Sequence, residues 1–100
     1  MKYRLIFHPK AKQEYINSFV WYGLKLKGLE ERFRLAVDEL LEKLSQNPEY
    51  YSYSKVLFRE AALRKFPFTI VFTINKEERR VFIAAIYHSK RNPNHKFRKE

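Results

Sequence analysis

The period of the hydrophobic pattern changes once in the body of this chain, and that change limits the fold more than any other feature. Between residues 10 and 46 apolar side chains recur every three or four positions, as on one face of a helix. From residue 55 onward they alternate, as on a strand. Two glycines and four prolines in 100 residues leave little chain for long loops. Helices followed by a run of strands belong to the α+β class.

Lys2 to Phe7 reads as a short opening strand, with Tyr3, Leu5 and Phe7 alternating with Lys2, Arg4 and Ile6. Pro9 suits the first turn of a helix, where a missing N–H costs nothing. Residues 10–26 fit a helix whose stripe is Ala11, Tyr15, Phe19 and Tyr22, widened by Ile16, Val20 and Leu24. Gly28 marks the break. Residues 29–46 fit a second helix, with Leu29, Phe33, Val37, Leu40 and Leu44 on its inner face. Glu30 and Glu31 favour its start, and Asn47-Pro48 stops it. The short turn between the two predicts an antiparallel hairpin.

Strands are expected over Lys55–Arg59, Ala61–Phe66, Thr69–Asn75 and Arg80–His88. In the third, Phe68, Ile70, Phe72 and Ile74 share a face opposite Thr69, Val71 and Thr73. In the last, Val81, Ile83, Ala85 and Tyr87 oppose Phe82, Ala84, Ile86 and His88. Both sets are apolar, which predicts a central strand. The expected architecture is a single α+β domain over residues 1–100. It has an N-terminal strand and an antiparallel helical hairpin packed on a four- or five-stranded, mostly antiparallel sheet.

The chain carries a formal net charge of +10, with 21 Lys and Arg against 11 Asp and Glu. Both ends are basic, residues 1–27 and 76–100 each carrying +5, whereas residues 28–48 carry −2. Such a balance favours polyanions or acidic proteins as partners. Cysteine is absent, so there is no disulfide framework, thiolate metal site or Cys nucleophile. No apolar run approaches the ~20 residues of a membrane span, and the opening apolar stretch is too short for a signal peptide. The expectation is a cytoplasmic protein with no metal, no small-molecule cofactor and no membrane partner. His8, His88 and His95 are scattered rather than set at metal-ligand spacing.

The informative residues are Arg64-Lys65-Phe66-Pro67-Phe68 and Tyr87-His88-Ser89-Lys90-Arg91-Asn92-Pro93. If the strands beside them are hairpin neighbours, Arg64, His88 and Arg91 come to one side or one end of the sheet. Arginine and lysine hold phosphate, and histidine moves a proton near neutral pH. Cleavage of RNA by its own 2′-hydroxyl needs those functions and no metal.

The whole chain resembles toxins of the RelE/ParE superfamily from bacterial type II toxin–antitoxin modules. The resemblance rests on Phe7-His8-Pro9-Lys10-Ala11, on Leu44-Ser45-Gln46-Asn47-Pro48, on Arg64 to Phe72, and on Ile83 to Pro93. It implies two helices against an antiparallel sheet and a cognate antitoxin as partner. RelE-type members cut messenger RNA on the ribosome, whereas ParE-type members poison DNA gyrase and are not nucleases. Phe66-Pro67-Phe68 and His88…Arg91-Asn92-Pro93 sit closer to the ParE-like, plasmid-stabilisation branch. No tyrosine follows Tyr87, whereas RelE-type catalysis often uses a C-terminal Tyr or His.

The first expectation is therefore a growth-inhibiting toxin that binds gyrase. One alternative is a ribosome-dependent endoribonuclease with Arg64 and Arg91 on phosphate, His88 as acid or base, and Arg59 and Tyr87 as further candidates. Another is an inactive remnant that binds its antitoxin. Lys65, Lys90, Lys96 and Arg98 are candidate binding residues. Trp21, Tyr22, Tyr50, Tyr51 and Tyr53 are expected to stay partly exposed and to meet an acidic antitoxin segment. That segment would lie as a helix in a groove beside the hairpin or as a strand at a sheet edge.

Overall fold

The computed structural model describes residues 2–91 and 95–100. Its elements run β1 (Arg4–Phe7), α1 (Pro9–Lys25), α2 (Leu29–Gln46), β2 (Tyr53–Lys55), β3 (Phe58–Ala62), β4 (Phe68–Asn75) and β5 (Arg80–His88), with one 3-10 turn at Pro48–Tyr50. They form one five-stranded sheet in the order β1-β5-β4-β3-β2. β1 lies parallel to β5, and every other pairing is antiparallel. This is the expected helical hairpin on a mostly antiparallel sheet, with β5 inside it.

Local chemistry explains the hairpin. Pro9 opens α1, and the His8 side chain caps it by accepting the N–H of Lys10 at 3.0 Å. Gly28, at φ +93°, turns the chain into α2 in a left-handed conformation that favours glycine. Phe33 is fully buried and meets the rings of Tyr15, Tyr22, Phe66 and Phe68 at centroid distances of 5.0–5.8 Å. Val37, Leu40 and Leu44 extend this core over Ile70, Phe72, Val81 and Ile83.

Four expectations need correction. Lys55–Arg59 is not one strand, because Val56 and Leu57 form the turn between β2 and β3. Neither has turn chemistry, and Val56 sits at φ +54°. Ala61–Phe66 is not a strand either, since pairing stops at Ala62 and residues 63–67 make the turn into β4. Ile16, Val20 and Leu24 do not widen the core stripe of α1, because all three are exposed. Tyr22 is buried rather than exposed, whereas Trp21, Tyr50 and Tyr53 are exposed and Tyr51 is half-buried.

The alternation in β5 also breaks. Val71 pairs with Ala85 but Phe72 pairs with Ile83, so Ala84 is an extra residue, a β-bulge. Val81, Ile83 and Ile86 therefore face the helices, and Phe82, Ala84, Ala85 and Tyr87 lie in the second core on the other face. The expected groupings of Ala85, Tyr87 and Ile86 are reversed by this one insertion.

The bulge lies just past the end of β1. The N–H of His8 donates to the Ile83 carbonyl at 2.9 Å, and the chain then leaves the sheet for α1. Beyond that point side chains replace the missing strand. Glu14 Oε1 accepts the N–H of Ile86 at 2.9 Å, and Arg98 Nη1 donates to the Ala84 carbonyl at 3.0 Å. The C-terminal segment runs along the second face of the sheet. Phe97 packs on Phe58 at 5.2 Å between centroids, and Arg80 pairs with Glu100 at 3.1 Å.

Candidate functional site

β4 begins and β5 ends at the same end of the sheet, where Phe68 stands opposite His88. The N–H of Ser89 donates to the Pro67 carbonyl at 2.7 Å and ties the two adjoining turns together. Arg64, Lys65, His88, Lys90 and Arg91 therefore share one end of the sheet. They divide between two grooves there, one along each helix. Asn92 and Pro93, the close of the sequence motif, lie outside the described residues.

The groove along α2 has a volume of about 920 Å³. Leu29, Leu35, Ala36, Leu40, Leu63 and Phe66 line it, and Arg32, Lys43, Arg64 and Lys65 supply positive charge against one carboxylate, Glu39, among its lining residues. The turn after β3 brings Arg64 and Lys65 here, because Leu63 returns its N–H to the Phe68 carbonyl at 2.9 Å.

The groove along α1 measures about 560 Å³ and takes His88, Lys90 and Arg91 from the end of β5, with Asn17, Trp21 and Tyr22 opposite. His88 Nδ1 accepts the N–H of Lys90 at 3.2 Å. A neutral imidazole held this way keeps its proton on Nε2 and offers a hydrogen-bond donor rather than a base. The ring meets Phe68 edge-on at 5.3 Å.

The remaining candidates lie elsewhere. Arg59 is buried and donates to the carbonyls of Tyr51 and Glu49 at 2.6 and 3.2 Å, with its guanidinium 3.9 Å from the Tyr53 ring centre. It clamps the chain entering β2. Tyr87 lies on the second face, where its hydroxyl donates to Glu60 Oε1 at 3.0 Å and accepts from Lys96 Nζ at 3.1 Å. Lys96 Nζ also reaches Glu60 Oε2 at 3.4 Å, and Ser54 donates to that same oxygen. Burial pushes the Glu60 carboxyl up, but hydrogen bonds from Ser54 and Tyr87 and the charge of Lys96 outweigh it, so its pKa lies below the ordinary value. Burial pulls the Lys96 ammonium down, but Tyr87 and Glu60 outweigh it, so its pKa lies above the ordinary value. Arg98 pairs with Glu14 at 3.0 Å, both side chains being largely buried. Among the described residues no group of three His, Asp or Glu side chains is placed to hold a metal ion.

Two features of this region escape sequence reasoning. Trp21 joins the groove of His88 only because α1 crosses β5 there. Glu60 reaches Tyr87 and Lys96 only because β3, β4 and β5 are neighbours in that order. The exposed aromatic beside a basic strand end was the one available signal for the first.

Residues 5–93 match the family described as the ParE toxin of the type II toxin–antitoxin system parDE. No curated protein matches the chain in sequence. Among solved structures it is similar to one of the chromosomal ParDE toxin–antitoxin system from Pseudomonas aeruginosa. Identity there is 18%, covering 87% of this chain and 96% of the other, with a TM-score of 0.74. It is also similar to a chain of the toxin–antitoxin complex RelBE2 from Mycobacterium tuberculosis, at 19% identity over 88% and 99% of the two chains, TM-score 0.61. A third is an Escherichia coli RelE toxin mutant in complex with a peptide of its antitoxin RelBc, at 25% identity over 86% and 82%, TM-score 0.56. The two lower-identity likenesses are of fold: a helical hairpin on an open, mostly antiparallel sheet.

Proposed function

This chain belongs to the ParE toxin family of type II toxin–antitoxin systems, and from that premise we propose that it stops growth by binding DNA gyrase in the cytoplasm without doing chemistry on it. The observation that carries this reading is the state of His88. Its Nδ1 is engaged by the Lys90 backbone, which suits a hydrogen-bond donor in a contact surface better than a general base. The division of the cations supports the same reading. Arg64 and Lys65 line one groove, and His88, Lys90 and Arg91 line the other, which suits contact with a broad macromolecular surface.

The cognate antitoxin would silence the toxin through the groove along α2. An apolar floor of Leu29, Leu40 and Phe66 beneath Arg32, Arg64 and Lys65 fits an acidic amphipathic segment. Complementary charge speeds such an association and makes it salt-sensitive. Two of the similar structures are complexes of a toxin with its antitoxin or an antitoxin peptide, which supports this partner class.

Inducing the chain in bacteria while following plasmid supercoiling and messenger RNA integrity tests the reading. Loss of negative supercoiling with intact messages is the expected result. Discrete message fragments with normal supercoiling would assign the chain to ribosome-dependent cleavage instead. Unchanged growth would leave only an antitoxin-binding role.

A further inference from the structure

The groove along α1, whose His88, Lys90 and Arg91 the gyrase reading takes as part of a contact surface, also holds Trp21, which neither that reading nor the antitoxin groove uses. Trp21 is the only tryptophan in the sequence and is 53% exposed at its wall. Its indole is held in place, with Tyr22 meeting it edge-on at 5.1 Å and the Lys25 ammonium 5.0 Å from the ring centre. Opposite stand His88, Lys90 and Arg91, the last two exposed in the turn after β5. The one carboxylate in the lining, Glu14, is already engaged by Arg98 and by the N–H of Ile86. What remains is a set of cationic and donor groups facing an oriented aromatic plane.

An anion alone would not need the indole, and an apolar peptide would not need the cations. A chain that alternates phosphate with flat bases uses both. We propose that this groove binds single-stranded nucleic acid, with a base against Trp21 and the adjoining phosphates on Lys90 and Arg91. His88 donates through Nε2 to a phosphate or base oxygen. This is binding, with no bond made or broken, and the acceptor nitrogen of the imidazole is taken up by the Lys90 N–H. The proposal does not rest on gyrase as the target, because it concerns the isolated toxin.

The single tryptophan supplies the readout. Oligothymidylate and oligouridylate are titrated into the purified protein at low salt while Trp21 emission is followed. Saturable quenching is expected, with affinity falling steeply as salt rises. The stronger of the two probes identifies DNA or RNA as the preferred source of the same chemistry. An abasic oligomer of equal length should quench far less, since it keeps the phosphates and lacks the bases. By anisotropy of a labelled oligomer, Trp21→Ala should weaken binding roughly tenfold or more. Joint Lys90→Glu and Arg91→Glu substitution should weaken it at least as much and flatten the salt dependence. Joint Arg64→Glu and Lys65→Glu substitution in the other groove should change it less than about threefold. Absence of quenching overturns the proposal. So does equal quenching by the abasic oligomer, or an equal loss from reversal in either groove, which would mark diffuse attraction to a basic protein.

Discussion

Glu14 and Arg98 lie 84 residues apart in sequence and meet through both oxygens of the carboxylate, at 3.0 and 3.1 Å. The pair stands where β1 has ended and β5 has just bulged. It supplies the acceptor for Ile86 and the donor for Ala84 that a neighbouring strand would otherwise provide. One contact thus finishes the sheet edge, fixes α1 against β5 and anchors the C-terminal segment.

Glu14→Ala should destabilise the protein by ~2–4 kcal/mol, because a backbone donor and a largely buried guanidinium both lose their partner. Glu14→Gln keeps an acceptor for Ile86 and should cost about half as much. Adding Arg98→Ala to Glu14→Ala should cost less than the two single losses combined. Urea unfolding of the wild type and the four variants measures each loss. Strict additivity would mean that the two side chains act separately.

Leu40 is 7% exposed under α2, and Leu24 is 81% exposed near the end of α1. Leu40→Ala should cost ~2–5 kcal/mol, and Leu24→Ala less than about 0.5 kcal/mol. Similar losses at both positions in thermal unfolding would contradict the assignment of the inner face.

Val56 occupies a left-handed conformation in a two-residue turn, with its side chain 80% exposed. A β-branched residue is disfavoured there, whereas asparagine tolerates it. Val56→Asn should therefore stabilise the protein by about 1 kcal/mol. A lower unfolding midpoint for this variant would show that the valine makes a contact worth more than the strain.

The Glu60–Lys96 pair predicts how the hold on the C-terminal segment varies with pH. Glu60 has a lowered folded-state pKa, so its contribution is present above the unfolded value of about 4.3 and is lost as pH falls through the lower folded value. Lys96 is raised, so its contribution is present below the unfolded value of about 10.4 and is lost as pH rises through the higher folded value. Phe97 packing, followed by ring-resonance shifts in NMR spectra, should hold across the neutral range and loosen first in acid. In Glu60→Gln the acid transition should disappear. A transition unchanged in that variant would assign it to other carboxylates.

The sequence was most legible where polar residues mark the phase. α2 has charged residues around its apolar stripe, and its expected limits, 29 and 46, are those of the helix. β5 has apolar residues on both faces, so no polar side chain marks where Ala84 shifts the alternation. The β2–β3 turn was hidden because Val56 and Leu57 look like strand residues and are held in a turn by the antiparallel pairing of β2 with β3. In α1 the ridge Ile16, Val20 and Leu24 has helical spacing, but Ala11, Tyr15, Phe19 and Tyr22 take the inner face and leave it exposed. Among the site residues, the common end of the sheet follows from a hairpin between β4 and β5. Their division between two grooves depends on where each helix crosses that end, which no local pattern encodes. The Glu14–Arg98 contact is of the same kind, since it joins the two ends of the chain.

The central claim is that this ParE-family toxin acts on gyrase as a binder. Purified toxin added to purified gyrase, ATP and relaxed plasmid tests it most directly. Dose-dependent loss of supercoiling is expected, and adding the cognate antitoxin first should prevent it. Full supercoiling at toxin concentrations well above that of the enzyme, with cleavage of messenger RNA by the same preparation on translating ribosomes, would contradict it.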